Sequence, residues 1–142
     1  MHLPRSLRRH PRSCRPFRDV LLRQLLEAPL RVENATRGTV LAARCGRADS
    51  FVSRAIGLIG RGRLGDEEGL LITRTNAITM IFMRFAIDAV FIDRGRRVVR
   101  IAPRLRPWWP ATLAFGADAV VELPSGAAAR SDTQVGDVLR FE

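Results

Sequence analysis

Ile87-Asp88-Ala89-Val90-Phe91-Ile92-Asp93-Arg94-Gly95-Arg96-Arg97-Val98-Val99-Arg100-Ile101-Ala102 is the stretch that decides the fold class of this 142-residue chain. Two runs rich in β-branched residues flank Asp93-Arg94-Gly95-Arg96, a hairpin turn in which Gly95 is expected to supply the positive φ. Working outward, Leu30–Asn34, Thr39–Ala43, Leu70–Thr73, Ile78–Met83, Ala119–Leu123 and Val138–Phe141 carry the same strand signature. Thr36-Arg37-Gly38 marks the turn between the first two, and a Pro-rich loop from Pro103 to Pro110 holds Trp108 and Trp109. A helix is expected at about 51–60, capped by Asp49 or Ser50, and a single helical turn at 125–131. Short strands at roughly ten-residue spacing with little helix predict a mainly β (α+β) fold. Its expected form is an antiparallel β-sandwich or partly open barrel, jelly-roll-like, with one or two short helices.

Composition bounds the rest. Hydrophobic residues make up 46% and charged residues 27%, enough for one soluble core and too much for global disorder. No apolar run approaches the ~20 residues of a membrane-spanning helix. The cations are 24 arginines and no lysine against 14 acids, a formal charge of +10. Residues 1–31 hold eight of those arginines against only Asp19 and Glu27. Residues 1–29 therefore read as an Arg-rich flexible tail, with a short amphipathic helix at 17–28 carried by Phe17, Leu21 and Leu25. Residues 30–142 read as a single domain. The tail suits an anionic surface such as nucleic acid or membrane lipid, and Arg94–Arg106 adds a second basic stretch. The Arg8-Arg9 pair lacks the apolar run an export signal needs, since Arg23 and Glu27 break it, so a cytoplasmic location is expected.

The two histidines, His2 and His10, both precede position 17, and Cys14 and Cys45 are the only cysteines. The body thus has no Ser-His-Asp triad, no Cys-His pair and no closed Cys/His zinc set. A disulfide framework is not expected, nor any metal or cofactor, and the chain is expected to be a monomer. Gly60-Arg61-Gly62-Arg63-Leu64-Gly65 spells the dinucleotide fingerprint, but a helix is expected before it and a strand after it, the reverse of what phosphate binding needs. Asp66, Glu67 and Glu68 beside it would repel a phosphate. It is read as a helix C-cap and turn.

Three groups of residues resemble a known family when taken in order. The first runs Ala48-Asp49-Ser50-Phe51, Arg54, Gly57-Leu58-Ile59-Gly60-Arg61, Leu64 and Glu68-Gly69-Leu70-Leu71-Ile72. The second is Met83 to Asp93 with Gly95, Val98 and Val99. The third is Leu105-Arg106-Pro107-Trp108, Ala119 to Gly126 and Gly136-Asp137-Val138-Leu139. Over about residues 30–142 the chain resembles the DUF192 family of uncharacterised bacterial and archaeal proteins. The resemblance implies a compact β-sandwich or jelly-roll-like fold with one or two short helices, and no particular activity. Two departures stand out: Thr79-Met80-Ile81-Phe82 replaces the His-Thr-Phe-Trp or His-Thr-Phe-Gly common in the family, and Ala86 replaces a proline.

The absent nucleophile–base pair favours a non-catalytic accessory module that binds a small ligand or a protein partner. Arg84 and Asp88 interrupt the most apolar stretch of the chain and are the expected polar centre of its site. Arg84, Arg54 or backbone N–H groups are the expected partners of a buried Asp88, and the Trp108 loop and Glu122 its expected surroundings. The alternatives are an enzyme using arginine and carboxylates, with Asp88, Glu122 or Asp137 as acid or base, and sequence-independent nucleic-acid binding through the tail.

Overall fold

The computed structural model describes residues 29–49, 58 and 61–142. The tail with its expected helix, Cys14, Arg54 and nearly all of the helix expected at 51–60 lie outside them. Among the described residues there are nine strands and one helix. They are β1 (Leu30–Asn34), β2 (Thr39–Ala48), β3 (Glu68–Thr73), β4 (Ala77–Ile78), β5 (Ile87–Ile92), β6 (Val98–Leu105), β7 (Thr112–Leu113), β8 (Ala119–Pro124), α1 (Ala127–Arg130) and β9 (Leu139–Phe141).

Seven strands make one sheet in the order β6-β5-β8-β3-β2-β1-β9, while β4 and β7 pair as a separate two-stranded ribbon. The large sheet curls until its two edge strands touch at one end. Arg97 bridges Val138, Val98 N donates to Asp137 O at 2.8 Å, and Leu139 N donates to Arg96 O at 2.9 Å. The result is a half-barrel, the partly open form of the expected β architecture. The β5–β6 hairpin is present, but its positive φ falls on Arg96 (65°) and not on Gly95.

Two local outcomes differ from the sequence reading. All pairs in the sheet are antiparallel except β2–β3, which run parallel from Arg44↔Glu68 to Ala48↔Ile72. The segment from Asp49 to Glu67 is long enough for the crossover a parallel pair requires. The expected strand Ile78–Met83 stops at Ile78, because Met83 N turns back to Met80 O at 3.1 Å.

Both faces of the sheet are covered, so two apolar clusters form. One holds Val32, Leu41, Cys45, Leu71, Val90, Ile92, Val121 and Leu123 under Ala127 and Ala128 of α1. The other holds Leu58, Leu64, Leu70, Met80, Met83, Ile87, Phe91 and Val120 on the opposite face. The central strands β5 and β8 are buried along their whole length. At Gly69 the strands pack so closely that a Cβ would sit 3.1 Å from the Leu123 side chain and 3.2 Å from Ala42, which explains a glycine in mid-strand.

Candidate functional site

Asp88 lies at the start of β5 and points to the face that α1 covers. Its Oδ1 accepts from Arg104 N at 2.9 Å, and its Oδ2 accepts from Gly126 N at 3.1 Å and Ala128 N at 3.0 Å. Gly126, the residue before α1, has φ of 92° and makes no side-chain cap of its own, so Asp88 caps this helix from across the fold. Of the partners expected for a buried carboxylate, backbone N–H groups are the ones in place. Arg84 stands exposed on the loop before β5 and forms no ion pair with Asp88 or any other described acid. Arg84 and Asp88 are therefore not brought together. Arg54 lies outside the described residues.

Asp137 is also buried and also partnered. It accepts from Asn34 Nδ2 at 2.8 Å, Arg37 Nε at 2.7 Å and Gln134 N at 2.9 Å. Burial pushes its pKa up, but hydrogen bonds from Asn34, Arg37 and Gln134 outweigh that and hold it below the usual carboxylate value. The network ties β1 to the turn before β9.

Glu122 is different. It sits mid-strand in β8, opposite Leu70 and Ala89, and is buried. Its Oε2 has no hydrogen-bond partner, and burial pushes its pKa up to about 7. Cys45 is buried as well, and its thiol is pushed up to about 12, which leaves it unreactive at neutral pH. None of the three carboxylates lines the depression of about 240 Å³ between Leu71, Ile92 and Phe141, nor that of about 170 Å³ beside Arg61 and Glu68.

The Trp108 loop gives the most unusual surface. Trp108 N donates to Met80 O at 2.7 Å and Met80 N donates to Trp109 O at 3.0 Å, which extends the β4–β7 ribbon into the two loops beyond it. At the tips Phe82 (φ 66°) and Trp108 (φ 68°) both adopt the left-handed conformation that bulky side chains avoid. Their rings meet edge to face with centroids 5.1 Å apart. Phe82 is 62% exposed, Trp108 59%, Trp109 52% and Phe115 89%, and Ile81 and Leu113 are exposed with them. Arg84, Arg104 and Arg106 are exposed on the adjoining chain, and the Arg100 guanidinium donates to Leu113 O. No acid occurs between positions 94 and 117 or between 74 and 87. Of this surface the sequence shows Trp108 with Trp109 beside it, Arg84 and the basic stretch Arg94–Arg106. Ile81 and Phe82 were hidden inside an apolar run that looks like a strand, and Phe115 carried no signal.

A curled β half-barrel with a separate two-stranded ribbon that carries exposed aromatic side chains defines a compact, mostly β domain. The chain belongs to the DUF192 family (uncharacterized ACR), whose model matches residues 32–141. It is 34% identical over 113 residues to a UPF0127 protein of Thermococcus sibiricus, covering 77% of this chain and 73% of that one. It is 32% identical over 115 residues to a UPF0127 protein of Pyrococcus furiosus, covering 76% and 95%. The crystal structure of a protein of unknown function from Novosphingobium aromaticivorans superimposes with a TM-score of 0.70 at 30% identity, over 80% of this chain and 84% of that one. Among the described residues no helix is long and apolar enough to cross a membrane.

Proposed function

We propose that this protein is a non-catalytic accessory module that works by binding, and that the β4–β7 ribbon with its flanking loops is its contact surface. The observation that carries this reading is the display of Phe82 and Trp108 at strained backbone positions, held outward by hydrogen bonds between two loops. Strain of about 1–3 kcal/mol at each such residue is retained where the surrounding structure imposes it, and such residues gather at functional sites. Exposed aromatics beside arginines match the side chains that carry most binding energy at protein interfaces. The partner is apolar where it meets the rings and anionic around them. A small amphipathic ligand, a protein face or another anionic surface has that character. The cytoplasm is the compartment this reading takes, and residues 30–142 are its folding unit.

The test compares what co-purifies with the full chain and with the Phe82→Ala/Trp108→Ala variant, by mass spectrometry of proteins and small molecules. The reading expects partners held by the unaltered chain to be lost from a variant with unchanged circular dichroism. Identical partner sets would contradict it.

A carboxylate-based enzyme is the second reading, and Glu122 alone favours it, as a buried carboxyl that titrates near neutrality. Among the described residues Glu122 makes no ion pair, and the titratable group it interacts with is the buried Cys45 thiol, held protonated at neutral pH. That is why binding is preferred.

A further inference from the structure

We propose that the ribbon docks this protein on an anionic lipid bilayer. The inference rests on the ribbon being the contact surface and goes further by naming what it contacts.

Three features favour a bilayer over a protein or a small ligand. The exposed apolar side chains are strung along the ribbon and line neither depression described above: Ile81 and Phe82 lie on one loop, Trp108 and Trp109 on the next, Leu113 on β7 and Phe115 just past it. A small ligand needs a concavity, and a folded partner would need a surface shaped to the Phe82–Trp108 pair and to each of the other exposed side chains. The acyl–headgroup boundary accepts all of them, and tryptophan is enriched at that depth. Arg84 follows Phe82 by two positions, Arg104 and Arg106 precede Trp108 on its loop, Arg100 donates to Leu113 O, and no acid occurs in these stretches of sequence. Lipid phosphates can meet each guanidinium wherever it lies, whereas a folded partner must place an acid opposite each one. The loop tips are also braced, since Met80, Trp108 and Trp109 are cross-linked by backbone hydrogen bonds. Insertion then needs little ordering of the backbone, which favours binding through few residues.

Only two tryptophans occur in the chain, Trp108 and Trp109, so intrinsic emission reports on this surface alone. That separates the ribbon from residues 1–31, whose eight arginines can also adsorb to anionic lipid but carry no tryptophan. The experiment titrates the full chain with vesicles of phosphatidylcholine mixed with phosphatidylglycerol, and with vesicles of phosphatidylcholine alone. Tryptophan emission and co-sedimentation are read together. The proposal expects a blue shift with the anionic vesicles only, quenching by lipids brominated near the headgroup, and reversal by salt. Phe82→Ala should weaken the partitioning that emission reports by about tenfold, the worth of one buried ring. Arg84→Gln/Arg106→Gln should weaken it with the rings intact. Co-sedimentation with unshifted emission would overturn the proposal, because binding would then be through another surface. Unshifted emission together with capture of a protein that depends on Phe82 and Trp108 would overturn the bilayer and leave the ribbon as the contact surface. Loss of both signals would overturn both readings.

Discussion

Glu122 places a carboxyl between Leu70 and Ala89 on a strand that is buried on both faces, with one oxygen unpartnered. Its folded pKa of about 7 against an ordinary 4.5 makes it a charge the fold disfavours. Between those values the folded chain keeps a proton that the unfolded chain releases, so stability falls as pH rises through that window. Once the carboxyl is ionised in both states the loss is on the order of 3 kcal/mol. Glu122→Gln should flatten this slope and melt above the unaltered protein at about pH 8, with the advantage gone near pH 5. Thermal melts across that range check it, and an equal slope in the variant would contradict the burial argument. Asp137 acts in the opposite direction, because its folded pKa is lowered and its stabilisation is lost on acidification below the ordinary carboxylate value. The two windows are separate. In the sequence Glu122 could not be told from a solvated residue, since a strand buried on both faces shows no alternation to assign it to a side.

At the level of elements, the hairpin from Ile87 to Ala102 was legible because each strand is a run of β-branched residues around an obvious turn. The ribbon was not. Its strands are two residues each and pair residues as far apart along the chain as Ile78 and Thr112 or Ala77 and Leu113, too short to show a period. The left-handed backbone at Phe82 and Trp108 has no local sequence signal either, since neither residue favours it. Asp88 was recognised as exceptional inside an apolar stretch, but its role comes from α1, only four residues long, which it caps from a distant strand. An amide there keeps one acceptor and turns an NH₂ group toward a backbone N–H. Asp88→Asn should therefore cost about 2 kcal/mol of stability, read by denaturant unfolding. A neutral result would show that the cage around Asp88 is not what holds α1 in place.

The whole molecule joins a rigid curled sheet to a surface that is apolar, basic and braced. Both cores lie within the sheet's two coverings, and the ribbon stands outside the seven-stranded order, so contacts on it need not disturb the fold. The β-rich class and the family were readable from strand spacing and from residues in order along the chain. The exposed aromatic surface depends on which large side chains stay outside, and that is decided by long-range packing. The most direct measurement is oxidative footprinting of the full chain, inside the cells that make it and after purification. If the ribbon is the contact surface, Phe82, Trp108, Trp109 and Phe115 are modified less in the cell than in the purified protein, while exposed Val135, in the turn before β9 and outside the ribbon, is modified equally in both. Equal modification of the four aromatic residues in both settings would contradict the account.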